Sequence, residues 1–307
     1  MGAPAATAQE QAPTELTGGH RNAGADTVSV GPPNRARRHW GRLAAALVVA
    51  GVLGAFLAVW VPYEFRTRPG ARTIGSALST FRTASTLPRQ AAAGLPAPST
   101  GVYRLAGQGS EQISFPPNTQ KDGAVMPASV TSLANGCWRW RVDYNVAHWE
   151  EYDFCPTATA LLQVANRNWQ TWDFGSTTIK NLAQYSCDPP QVLLPAHPVA
   201  GQMFSPSCTG SNSAIPGVSR TSGQIRIVGT EPLVIGGVTT QTVHESQRTS
   251  VSGGQKGDIT EDWWLVAKTG LPVRMTRHIV VGSPSPIGTI TYNEDGWWQM
   301  ASLQPQT

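Results

Sequence analysis

Residues 137–155, CWRWRVDYNVAHWEEYDFC, decide the fold class. If Asn145, Val146 and Ala147 form a three-residue hairpin loop, then Cys137 faces Cys155, Trp138 Phe154, Arg139 Asp153, Trp140 Tyr152, and Arg141 Glu151. Successive side chains on a strand point to opposite faces. One face of this hairpin therefore gathers aromatic pairs, and the other a disulfide and two ion pairs, which are the neighbours that cross-strand contacts favour. A single register that satisfies five pairs at once predicts an antiparallel hairpin.

The same pattern extends outward on both sides. From Gly101 onward, β-branched and aromatic runs alternate with Gly, Pro and Asn turns at intervals of roughly ten residues, and helix signals are nearly absent. Strands are expected at 102–105, 111–115, 125–132, 137–144, 148–155, 169–174, 224–229, 233–235, 238–250, 259–267, 273–281, 287–292 and 297–303. Gly236-Gly237 reads as a two-residue hairpin turn. The expected fold is mainly β, one strongly curved antiparallel sheet or half-barrel preceded by one transmembrane helix.

That helix is LAAALVVAGVLGAFLAVWV, residues 43–61, uncharged and about 28 Å long as an α-helix, close to the thickness of a bilayer core. Trp40 stands before it, and Trp60 and Tyr63 at its far end, where amphipathic rings settle among headgroups. The chain ahead of it is too long for a signal peptide and no clean A-x-A site follows, so a retained signal-anchor is expected. Arg21, Arg35, Arg37, Arg38 and Arg42 precede the span, against Arg66, Arg68, Arg72 and Arg82 after it. This bias predicts a cytoplasmic N-terminus in the plasma membrane and an extracytoplasmic C-terminal domain.

The cysteines agree with that orientation. All four follow the span, as two disulfides in an oxidising compartment would. With Cys137 joined to Cys155, Cys187 and Cys208 are left to close a loop holding Pro189, Pro190, Pro195, Pro198 and Pro206. Zinc-type CxxC spacing is missing. The organisation read from composition is a disordered cytoplasmic tail (1–38), the anchor (39–63), a stalk with a weak helical pattern at Ile74, Leu78 and Phe81 (64–100), and the β-rich domain (101–307).

The formal charge of +4 does not indicate nucleic acid. Ten arginines face four acids before residue 101, whereas thirteen basic residues face fifteen acidic ones after it, so the basic excess is outside the folded part.

Function has to be sought in the tryptophans. Trp263-Trp264 and Trp297-Trp298 each put one indole on either side of a sheet. With Trp138, Trp140 and Tyr152 they are the candidate ligand-binding residues, with packing in the core as the competing role. The expected function is a membrane-anchored extracytoplasmic module that binds a hydrophobic or amphiphilic, lipid-like envelope ligand. The alternative is a cell-wall glycan or protein-partner module using exposed tryptophans.

No catalytic motif is legible. His244-Glu245-Ser246-Gln247-Arg248 has Arg where HExxH needs its second ligand. Gly107-Gln108-Gly109 lacks the rest of a dinucleotide fingerprint, and His148, Glu150 and Tyr152 share only a strand face. Asp258, Glu261 and Asp262 read as the solvated start of a strand. No enzyme, cofactor or metal site is expected.

Residues 223–303 resemble the lipoprotein-carrier half-barrels of the LolA and LppX type. The likeness lies in Val228-Gly229-Thr230-Glu231, in the run Trp263-Trp264-Leu265-Val266-Ala267-Lys268-Thr269-Gly270-Leu271-Pro272-Val273-Arg274, and in Thr291-Tyr292-Asn293-Glu294. It implies a curved sheet that holds an acyl chain on its concave face. Four Lys against 19 Arg also resemble the composition of actinobacterial proteins.

Overall fold

The computed structural model describes residues 35–64, 66, 68–84 and 94–307, with side chains from residue 47 onward. The expected disordered tail lies almost wholly outside the described residues, as does part of the stalk. The chain divides into two units, Met1–Gly54 and Ala55–Thr307. Helix α1 (Arg35–Glu64) carries an 18-residue stretch, Leu47–Glu64, of mean hydropathy 1.8 with none of it buried. It is long and apolar enough to cross a membrane, which supports membrane association. A second helix, α2 (Ile74–Ala84), is capped by Thr73, whose Oγ1 accepts from the Ser76 amide at 3.1 Å, and packs against the first and third strands.

Fourteen strands follow: β1 (Gly101–Ile113), β2 (Asn118–Lys121), β3 (Val125–Ser132), β4 (Trp138–Asn145), β5 (His148–Pro156), β6 (Ala160–Asp173) and β7 (Thr178–Pro195), then β8 (Met203–Phe204), β9 (Ser207–Asn212), β10 (Ile215–Ile235), β11 (Val238–Gly253), β12 (Lys256–Val266), β13 (Pro272–Ser285) and β14 (Gly288–Met300). Neighbours run β10-β11-β12-β13-β14-β1-β3-β4-β5-β6-β7-β9, and β9 pairs back onto β10. The result is a closed antiparallel barrel of twelve strands, with β2 and β8 as additions on β1 and β10. The expected open sheet or half-barrel is thus corrected, and with it the carrier-type fold that the resemblance implied.

The error has a local cause. β7 and β9, which close the ring, carry Pro189-Pro190 and a Ser-Cys-Thr-Gly-Ser-Asn run, compositions that read as loop. Cys187 and Cys208 are bonded as expected and stand directly opposite each other on these two strands, so the disulfide that encloses the proline-rich stretch also ties β7 to β9.

The hairpin of β4 and β5 keeps the expected register, with Trp138 opposite Phe154 and Trp140 opposite Tyr152. Cys137 and Cys155 are bonded, Arg139 reaches Asp153 at 2.6 Å, and Arg141 reaches Glu151 at 3.0 Å. The turn differs by one residue. Asn145 pairs with His148, and Tyr144 is the extra residue of a bulge, buried toward the interior.

Twelve strands enclose more space than aliphatic side chains fill, since eight-stranded barrels are already wide enough for a packed interior. The sequence answers with indoles at one end. Trp140 lies 6.0 Å from Trp298, and Trp263 lies 6.1 Å from Trp298. Tyr103, Phe154, Leu265 and Met275 pack into the same cluster.

Replacing Cys187 and Cys208 together by Ser should cost about 3 kcal/mol, the loop-closure value for their separation of 21 residues. Urea unfolding under oxidising conditions checks this, and an unchanged midpoint would mean the closing strands do not depend on their cross-link.

Candidate functional site: the barrel lumen

The lumen changes character along its length. Beyond the indole cluster comes a band of buried charge centred on Arg277 of β13, whose side chain is 1% exposed. Its Nη2 donates to Glu150 Oε2 on β5 at 2.7 Å and to Glu261 Oε1 on β12 at 2.9 Å. Its Nη1 donates to Glu294 Oε1 on β14 at 2.9 Å. The hydroxyls of Tyr144 and Tyr152 each donate to Glu150 Oε2 at 2.9 Å, and Asn168 Nδ2 donates to Glu150 Oε1 at 2.9 Å. Tyr144 joins them because it shares the inward face of β4 with Trp138, Trp140 and Val142.

Beside it sits a second group. Glu111 of β1 lies opposite Glu294, and His148 Nδ1 approaches Glu111 Oε2 at 3.3 Å. Gln170 Nε2 donates to the same oxygen at 2.8 Å, and the Tyr292 hydroxyl donates to Glu294 Oε2 at 2.5 Å. Asp122 reaches into this group because Gly109 and Gly296, paired across β1 and β14, leave room. A Cβ on Gly109 would come within 2.1 Å of Asp122 Oδ2. The Gly107-Gln-Gly109 motif therefore opens space for a carboxylate.

Burial and neighbours set the protonation of these groups. Burial alone would raise Glu150, but the Arg277 guanidinium, with His148 and Asn168, holds it down to about 2. Burial opposes a charge on His148, yet Glu111, Glu294 and Glu150 lift its pKa to about 9. Burial, reinforced by Glu294, pushes Asp122 up to about 7, and burial also raises Glu261 against the pull of Arg277.

Glu111, His148 and Glu294 could each offer an atom to a metal, the three lying within 4.8 Å of one another. As arranged, both Glu294 oxygens and one Glu111 oxygen already accept hydrogen bonds, and the carboxylates keep the imidazole protonated. The chemistry of this set is that of a hydrogen-bonded ion network.

Past the charge band the lumen opens into two connected cavities that share Glu150, Asn166, Thr221, Ile259 and Ile279. The outer one, about 300 Å³, has an apolar wall that includes Trp172, Phe174, Ile179, Ile215, Val251 and Val281. Phe115 and Ile179 at its lining are exposed. The inner one, about 110 Å³, is half polar and reaches Glu261, Gln163, Gln191 and Gln247.

The residues nominated from sequence fall in three places. Trp138, Trp140 and Trp298 are fully buried in the indole cluster, and Tyr152 and Trp263 border the inner cavity. Trp264 points outward, stacked 4.2 Å from His244 with the Arg274 guanidinium 4.6 Å from its ring. Trp297 is 42% exposed. What sequence reasoning missed is Asn166-x-Asn168-x-Gln170-x-Trp172-x-Phe174, a period-two run that lines the outer cavity from one strand face. The alternation was readable, but amides at alternate positions resemble a solvated face unless the barrel is known to be closed.

No family model matches the chain, and no curated protein does. Among solved structures it is similar to the crystal structure of the hypothetical lipoprotein YmcC from Escherichia coli, with 12% identity and a TM-score of 0.31 over 72% of this chain and 95% of that one. A likeness so distant leaves the fold to be argued from the strands themselves. The barrel, the apolar helix, the disulfides and the buried aromatic cluster fit an extracytoplasmic binding module in general. That reading stands closer to the glycan-or-partner alternative than to a lipid carrier.

Two stability measurements test the band. Arg277→Met leaves Glu150, Glu261 and Glu294 facing one another without their cation and should cost roughly 3–5 kcal/mol. Adding Glu150→Gln should recover part of the loss, and a single-variant cost below about 1 kcal/mol would show the network to be dispensable. Glu245 is a separate case, fully buried on β11 with Oε1 unpartnered and only Gln247 donating to Oε2 at 3.5 Å. Burial drives its pKa well above the usual carboxylate range. The folded state therefore holds a proton that the unfolded state releases, and this residue lowers stability as pH rises above the ordinary value of 4.5. Glu245→Gln should melt higher than wild type at pH 7 by roughly 2–4 °C or more and match it below pH 4. A gain at acid pH as large as that at pH 7 would contradict the assignment.

Proposed function

We propose that the chain is a membrane-anchored binding module, N-terminus cytoplasmic and barrel extracytoplasmic, whose lumen takes one small amphiphilic molecule with its polar head inward. The observation that carries this reading is the polarity gradient of the two cavities. Both cavities carry amides, but the wall of the outer one is mostly apolar, with Trp172, Phe174, Ile179, Ile215 and Val281 added to them, while the inner one is half polar and holds Glu150 and Glu261 together. Small-ligand sites combine an apolar wall with a few convergent polar groups in this way. A volume of about 300 Å³ stands at the lower end for such sites, which suits a single short chain or ring system better than a diacyl lipid. The Tyr63 hydroxyl, next to the end of the apolar helix, donates to the Pro117 carbonyl two residues from the cavity-lining Phe115, so the rim has a contact with that helix end.

A second reading rests on a different surface. Trp149 and Trp169 pair across β5 and β6, pointing outward and stacked at 6.2 Å, with the Arg141 guanidinium 4.2 Å from the Trp149 ring. Half-buried indoles of this kind suit a sugar face or a partner side chain. Retention on cell-wall polysaccharide that is lost in Trp149→Ala and Trp169→Ala would favour it.

For the lumen reading, the probe is brominated octanol titrated into the full chain in nanodiscs, with tryptophan emission as the signal. Trp172 borders the outer cavity and Trp263 the inner one, so saturable quenching is expected, reduced in Trp172→Phe. Ala183→Phe, which fills the cavity from β7, should weaken the titration about tenfold or more. Quenching that does not saturate, or that Ala183→Phe leaves unchanged, would rule the lumen out as the site.

A further inference from the structure

The charge of the lumen says more about the occupant than its shape does. Among the described residues that line the two cavities, the ionisable carboxylates are Glu150 and Glu261, and no Lys, Arg or His lines either one. Arg277, which pairs with both, has a side chain 1% exposed and borders neither cavity.

The acceptors facing this space are only partly used. Glu150 Oε2 takes three donors, but Oε1 takes Asn168 alone. Glu261 takes Arg277 on Oε1 and the Trp263 indole on Oε2 at 3.2 Å. A carboxylate has about four lone-pair sites, so the four donors meet Glu150 while two sites are left over on Glu261. Asn166, which borders both cavities, has its Oδ1 shielded from solvent and without any hydrogen-bond partner. An unmatched buried acceptor costs free energy that an incoming donor would recover.

From this geometry we infer that the amphiphile carries a single cationic head, an ammonium or a guanidinium, seated in the inner cavity among Glu150, Glu261 and Asn166, with its apolar part against the outer wall. The inference rests on the lumen reading above and narrows it to one class of ligand. A cation in a largely buried chamber is tolerated only beside carboxylates and acceptors with free sites, which is what lines it. An anionic head would meet two carboxylates and no cation in the lining. A neutral hydroxyl head can donate only one hydrogen bond to the several acceptors that face it.

The test holds the tail constant and changes the head. Octylamine, octanol and octanoate compete with brominated octanol for the full chain in nanodiscs at pH 7, where the amine is charged. Octylamine should displace the probe about tenfold or more better than octanol, and octanoate worse than octanol. Glu261→Gln should shrink the preference for the amine while leaving octanol in place, and because the wild-type series stands alone, a variant that fails to fold does not blunt the test. If octanoate competes as well as octylamine, or all three compete equally, the cationic head is wrong and the lumen reading survives. If the brominated probe itself never binds, the lumen reading fails first.

Discussion

Arg277 holds the barrel across its own lumen. One guanidinium on β13 bonds to carboxylates on β5, β12 and β14, and Glu150 is 127 positions away in sequence. In a ring this wide, opposite walls are too far apart for ordinary side-chain packing to fix their separation everywhere. Fully desolvated ion pairs are costly unless every lone pair is met. Here Tyr144, Tyr152 and Asn168 complete Glu150, and Trp263 gives Glu261 a second donor. Through Arg277, β5 and β12, which lie opposite each other in the ring, are tied at one depth.

That cross-tie divides the interior into two kinds of space. On one side the indoles of Trp138, Trp140, Trp263 and Trp298 fill the lumen, each a large rigid volume that a twelve-strand circumference requires. On the other side the wall mixes apolar side chains with amides and the centre is open. The charge band is the floor of the open part, so the groups that hold the barrel together are also those that a bound molecule would meet. A site built this way has its polar groups fixed in place before any ligand arrives.

The hairpin of residues 137–155 was legible because its alternation, charge pairing and terminal cysteines all agree on one register, and the structure departs from it only by the bulge at Tyr144. Closure was not legible. Pro189, Pro190, Gly210 and the hydroxyl residues around them have weak strand preference, and they form β7 and β9 only because barrel neighbours on both sides supply hydrogen bonds. With those strands missing from the reading, the amide and aromatic face of residues 166–174 had no lumen to line. The buried roles of Arg277 and Glu261 were hidden for the same reason, since a charged residue on a strand ordinarily marks the solvent side.

The account depends most on the barrel being closed, and amide hydrogen exchange of the native full chain tests this directly. If β7 and β9 complete the ring, the amides of residues 178–195 and 207–212 that bond to neighbouring strands will exchange as slowly as those of β4 and β5. If both segments exchange at the rate of an unstructured loop while β4 and β5 stay protected, the sheet is open. The lumen, its cavities and its charged floor would then have to be abandoned.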